Sequence, residues 1–163
     1  MFKKNLTLIT LFALVGCGNK QEEVRSSNGT PIHIVNVLDS KMFADAHIKG
    51  SKNISLQDIG TTAKNWGKND TIVIYCSNYM CTASATAAEK LIEQGFTDVR
   101  VYEGGTAEWY QLSKQDSSYA LVGPAKERYL EIVLEKPTTH QEKVKEISAL
   151  ELKKLLKDAN ILS

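Results

Sequence analysis

Thr71-Ile72-Val73-Ile74-Tyr75-Cys76 decides the fold: five residues with no charge, three of them β-branched aliphatics, running into a cysteine. Continuous apolar character over this length suits a strand in a parallel sheet covered on both faces. An alanine-rich helical run, 82–94, follows, and Gly95 stands where a helix C′ residue belongs. Outward from this unit the pattern repeats. Residues 32–38 form a β-branched apolar run that ends at Asp39-Ser40, and Ser40 is placed to cap a short helix through Ala46. Residues 52–56 suit a brief strand, and 57–66 a helix closed by Gly67 and Asn69-Asp70. Residues 98–102 give a further strand, and Gly104-Gly105 turns the chain into a helix over 106–112. Alternating strands and helices with short connections predict a three-layer α/β/α domain around a central, mostly parallel sheet.

The C-terminal third is less regular. Residues 129–134 suit a strand, and 148–159 an amphipathic helix with Leu150, Leu152, Leu155 and Leu156 largely on one face. Lys153, Lys154 and Lys157 then form a solvated surface. At 163 residues the chain fits one domain with a tail. Its 42% hydrophobic and 24% charged content is that of a soluble globular protein. The formal charge of +1, the sparse aromatics and the lack of a basic patch give no sign of a nucleic-acid ligand.

The first residues read as a targeting segment. Lys3 and Lys4 precede an almost unbroken apolar run, 6–15, which is half of the roughly 20 helical residues needed to span a bilayer core. It runs into Leu14-Val15-Gly16-Cys17, which resembles a bacterial lipobox. The expectation is a signal peptide over 1–16 and a diacylglycerol on Cys17, with 17–30 as a flexible tether to a domain over 31–112 and a C-terminal extension over 113–163. Removing 1–16 takes away two lysines and no acid, so the mature chain falls from +1 to −1. The acyl chains, rather than charge, must then hold it to a membrane. The expected location is the cell envelope, facing away from the cytoplasm. Gly18, rather than Asp, after the lipidated cysteine resembles the outer-membrane sorting pattern where a host has two membranes. Cys76 and Cys81 then lie where disulfides persist.

A cysteine at the end of a parallel strand and the start of a helix is placed for chemistry. Ligands of open α/β sheets bind beyond the strands' carboxyl ends, and a helix N-terminus favours a thiolate. The loop Ser77-Asn78-Tyr79-Met80-Cys81-Thr82 is therefore the candidate substrate-binding loop, its amides expected to cradle the Cys76 sulfur. Cys81, five residues on, is a candidate resolving thiol; a buried structural role also fits it. No ligand set for a metal stands near, and no cofactor is called for.

Four blocks resemble the rhodanese-like family. Ala46-His47-Ile48-Lys49-Gly50-Ser51-Lys52-Asn53-Ile54 resembles G-H-I-x-G-A-x-N-I, and Ile72-Val73-Ile74-Tyr75-Cys76 the strand into that family's active cysteine. Gly95-Phe96-Thr97-Asp98-Val99 matches G-F-x-x-V, and Glu103-Gly104-Gly105-Thr106-Ala107-Glu108-Trp109 matches E-G-G-x-x-x-W. The resemblance covers about residues 32–112. It implies sulfur transfer: a donor sulfurates Cys76, and a nucleophilic acceptor takes the sulfur in a second half-reaction. The implied partner is a small sulfur donor or a protein persulfide or thiol. In this setting His47 is expected to make a structural hydrogen bond, Trp109 to pack in the core, and His33 and His140 have no partner pattern.

The departures are specific. Val35-Asn36-Val37-Leu38 stands where many members have I-D-V-R, so both the acid and the arginine are absent. The family loop resembles C-x-x-G-x-R-S, with glycine where Tyr79 stands and arginine where Cys81 stands; this loop has no cation. Thr82 at the sixth position after Cys76 disfavours phosphatase chemistry, which needs an arginine there to clamp a phosphoryl group. Two other roles stay open: a thiol–disulfide redox protein using Cys76 and Cys81, and a binding module without turnover. Residues 146–156 resemble the helix that opens a rhodanese domain, so the C-terminal helix either completes the fold, is a remnant of a tandem protein, or simply packs on the sheet.

Overall fold

A computed structural model describes residues 24–136 and 144–163. The strands are β1 (Ile32–Asn36), β2 (His47–Ile48), β3 (Lys52–Asn53), β4 (Thr71–Tyr75), β5 (Asp98–Tyr102), β6 (Leu121–Val122) and β7 (Lys145–Glu146). The helices are α1 (Ser40–Asp45), α2 (Ile59–Thr62), α3 (Ala83–Glu93), α4 (Gly105–Ser113) and α5 (Ala149–Asp158), with single 3-10 turns at Ala63–Asn65 and Arg128–Glu131.

Five strands form one sheet in the order β3-β1-β4-β5-β7, every neighbour parallel. The apolar run that predicts a doubly covered strand is its centre: all five residues of β4 are buried. Side chains alternate along a strand, and the two core clusters divide accordingly. Ile72, Ile74 and Cys76 face α2 and α3 with Ile59, Ala87, Ala88 and Leu91; Val73 and Tyr75 face α4 and α5 with Trp109, Leu152 and Leu156. The three-layer α/β/α architecture thus stands. Cys76 continues the β4 alternation into the α3 layer.

Local expectations are corrected at several points. Asp39, not Ser40, caps α1, its carboxylate accepting from the N–H groups of Lys41 and Met42. The helix expected over 57–66 is one turn of α2 followed by a 3-10 turn, and the strand over 52–56 shortens to β3. Residues 129–134 hold no strand: a 3-10 turn buries Leu130, while Ile132 and Val133 are exposed. The tether to residue 30 is also too long. Ser26 N–H donates to the Thr30 carbonyl and Ile32 N–H to that of Val24, closing a turn in which Gly29 has φ +83°. Val24 packs against the α4/α5 side of the core.

The C-terminal segment is built into the domain. β7 pairs with β5 at the sheet edge, and α5 lays Leu152 and Leu156 into the core. Leu150, placed on the apolar face by its spacing, is instead 65% exposed. Ser148 and Glu151 form a capping box at the start of α5. A small antiparallel β2–β6 pair, which has no signal in the sequence pattern, lies outside the main sheet. Cys17 and His140 lie outside the described residues. Among the described residues no helix is long and apolar enough to cross a membrane.

Candidate active site

The carboxyl end of β4 sits between β1 and β5, so Cys76 emerges at the middle of the sheet's C-terminal edge. The loop 77–82 then arches over to α3. Its shape is set from the α4 side. Thr106 N–H and Oγ1 both donate to the Cys76 carbonyl (3.0 and 3.2 Å), and Ala107 N–H to that of Ser77 (2.9 Å). The free amides at the start of α4 are therefore spent on the loop backbone. Gly105 makes the approach possible. It has φ +59°, and a Cβ there would stand 2.6 Å from the Cys76 carbonyl oxygen and 2.8 Å from Asn78 N. This is the physical content of the Gly104-Gly105 pair.

Tyr79 closes the loop on the same side, its hydroxyl donating to Glu108 Oε1 at 2.7 Å. Asn78 organises the tip: its side-chain oxygen accepts from Met80 N–H (2.9 Å), and its carbonyl from Cys81 N–H (3.0 Å). These two amides are thus turned away from Cys76, contrary to the expected cradle. Met80 at the tip is 78% exposed.

The Cys76 side chain is 0% exposed. Its thiol donates to the Cys81 carbonyl at 3.2 Å and lies 3.2 Å from the Ser84 hydroxyl, in the first turn of α3, whose backbone N–H also faces the sulfur. No disulfide joins the two cysteines. Their acidities diverge. The contact with Cys81 and burial push the Cys76 thiol up. Cys81, partly exposed, is lowered to about 5 by the neighbouring Cys76 thiol, with help from the Ser77 and Ala83 N–H groups and against partial burial. Burial disfavours charge on the deeper sulfur. The expected lowering at Cys76 is therefore corrected: its thiol is held up, and the lowered thiol of the pair is Cys81.

The framework residues take structural positions. His47 Nδ1 bonds the Phe43 carbonyl at 2.8 Å, and its ring stacks on Phe43. Ile48 N–H and the Ser51 hydroxyl both bond the Tyr75 hydroxyl (3.0 and 2.7 Å), which ties the His-Ile-x-Gly-Ser block to β4. Burial pushes the Tyr75 hydroxyl up to about 12. Trp109 is buried, with its ring N–H on the Ala120 carbonyl. His33, for which the sequence offers no partner, bonds Asp70 at 2.9 Å and stacks on Trp66. Asn36, at the family's aspartate position, accepts from Leu38 N–H at 2.9 Å, as a carboxylate could; its Nδ2 is buried without a partner within hydrogen-bond limits.

Beside the loop, at the ends of β5 and β7, lies a cleft of about 260 Å³ walled by Tyr79, Tyr102, Glu103, Glu108, Glu146, Glu151 and Lys136. Sequence reasoning passed over these carboxylates. They come from separate segments, and only the β5–β7 pairing assembles them.

A doubly covered parallel sheet with a cysteine sealed under the loop after its central strand defines the class. The model of the rhodanese-like domain matches residues 20–112, and the chain belongs to that family. A thiosulfate sulfurtransferase GlpE of Pseudomonas aeruginosa is 30% identical over 97 residues, which is 60% of this chain and 86% of that protein. The Shewanella oneidensis protein of the same name is 28% identical over 88 residues, 54% of this chain and 85% of that one. Among solved structures, a rhodanese with anions from E. coli is 28% identical, with 56% of this chain and 98% of that chain covered and a TM-score of 0.43.

Proposed function

We propose that this protein is a sulfurtransferase that carries sulfane sulfur as a persulfide on Cys76 and yields it to a nucleophilic acceptor. The observation that carries the reading is the setting of Cys76: central strand end, full burial, and the Ser84 hydroxyl and N–H turned toward its sulfur. A persulfide held there is shielded from solvent and from oxidation, while hydrogen-bond donors stabilise its terminal sulfur.

The charge around the loop bears on the donor. Residues 76–82 contain no lysine or arginine, and the adjoining cleft carries four glutamates against Lys136. Carboxylates at the approach disfavour a dianion. The relatives are named for thiosulfate; for this chain the preferred donor is a persulfide of lower charge, small or protein-borne, with Met80 offering the loop tip an apolar contact. The test is steady-state sulfur transfer to a thiol acceptor from thiosulfate and from cysteine persulfide. Cys76→Ser should lower turnover with either donor by at least about 100-fold, the scale on which loss of a nucleophile is felt. A variant that retains wild-type turnover refutes the role of Cys76, and a clear preference for thiosulfate refutes the donor class.

The protein acts at the membrane surface, outside the cytoplasm, anchored through lipid on Cys17. The Lys3-Lys4, apolar-run and Gly16-Cys17 pattern supports this. Cys17→Ser should move the protein from the membrane to the soluble fraction of its host; unchanged fractionation argues against the anchor.

A further inference from the structure

The thiol best placed to meet a donor is not the one best placed to keep the sulfur. Cys76 is sealed at the bottom of the loop, whereas Cys81 is partly exposed at its mouth, at the entry to α3. The Cys76 thiol lies 3.2 Å from the Cys81 carbonyl, and Cys81 packs against the core cluster that holds Cys76. Around Cys81 the donors are the Ser77 and Ala83 amides; around Cys76 they are the Ser84 hydroxyl and amide. Each sulfur thus has its own set of hydrogen-bond donors, one facing the approach and the other facing the core.

We propose that Cys81 is the entry thiol of a two-cysteine relay, taking sulfur from the donor and passing it to Cys76. The proposal rests on the reading of Cys76 as the persulfide carrier and adds a second catalytic residue to it. In the first step the Cys81 thiolate attacks the outer sulfur of a persulfide R–S–SH; the S–S bond breaks, R–S⁻ leaves, and Cys81–S–SH forms. In the second, the Cys76 sulfur attacks that outer sulfur while its proton passes to Cys81. The products are Cys76–S–SH and the Cys81 thiol, which returns its proton to solvent. No external oxidant or reductant enters, because one S–S bond is broken and one formed at each step.

The position where the family pattern has an arginine is thereby given a different task. A guanidinium there would attract an anionic donor to the buried cysteine; a thiolate there attacks the donor itself. The lowered pKa of Cys81 agrees with this assignment, since a thiolate is the attacking form.

Loading of the reduced, purified protein with cysteine persulfide tests the relay, followed by intact mass and peptide mapping over time. Wild type is compared with Cys76→Ser, Cys76→Ala, Cys81→Ser and Cys81→Ala, each first checked for a cooperative melt. The expected result is that both Cys76 variants still gain one sulfur atom, retained on Cys81. Both Cys81 variants should load at least tenfold more slowly than wild type, in which sulfur appears first on Cys81 and then on Cys76. If the Cys81 variants load at the wild-type rate and the Cys76 variants gain nothing, the relay is overturned and direct attack by Cys76 stands. If no form of the protein gains sulfur, the carrier reading and the relay both fall.

Discussion

At the residue scale, the loop is specified by a few side chains whose tasks differ from those their types suggest. Gly105 is required by contact as well as by conformation, because a Cβ at φ +59° would press into the Cys76–Asn78 backbone. Gly105→Ala should therefore destabilise the protein by about 2 kcal/mol or more, as expected for a non-glycine residue forced into strained backbone against a fixed neighbour. Gly95→Ala, with φ +88° but open space, should cost less; equal denaturation midpoints would contradict the contact argument. The cysteine pair makes a second prediction. Cys81 is lowered to about 5 and ionises as pH rises through that value, so its alkylation rate should climb between about pH 4 and 6 and be level by pH 7. In Cys76→Ala the Cys76 thiol beside Cys81 is lost and the profile should move upward. A wild-type rate that keeps rising through pH 8 to 9 would mean an ordinary thiol.

At the scale of the elements, most of the architecture was legible because it rests on burial. The β4 run, the alanine-rich α3 and its Gly95 stop are read directly from hydrophobic pattern and turn chemistry. What escaped notice is what backbone pairing alone creates. β7 is two charged, exposed residues held to β5 by main-chain hydrogen bonds, and its side chains carry no strand signal. The 3-10 turn at Arg128–Glu131 misleads for the opposite reason, since an apolar run there buries Leu130 and exposes Val133. In α5, periodicity finds the face and packing chooses among its leucines. Leu152→Ala should cost about 3 kcal/mol and Leu150→Ala almost nothing by chemical denaturation, because only the first leaves a core cavity. Equal losses would contradict the assigned face. Ser148→Ala, which removes the capping box, should cost about 1 kcal/mol.

For the whole molecule, the C-terminal segment belongs to the domain that holds the cysteine. β7 covers the outer edge of β5, and α5 buries the face of the sheet that carries Val73, Tyr75 and Tyr102. Deleting residues 144–163 should abolish the cooperative melt; an unchanged melting temperature would show the segment to be an appendage. The candidate site was half legible in the sequence. Four motif blocks find Cys76, and its strand-end position follows from the β4 pattern. Burial of the thiol, the acidic cleft and the division of labour with Cys81 depend on how loop 77–82 closes between α3 and α4, which no local pattern encodes. The central claim is that Cys76 is the resting place of the sulfur, and proteolytic mapping of the protein equilibrated with excess cysteine persulfide tests it most directly. The account predicts one added sulfur on the peptide containing Cys76; a Cys76–Cys81 disulfide with no added sulfur, or sulfur retained only on Cys81, would contradict it.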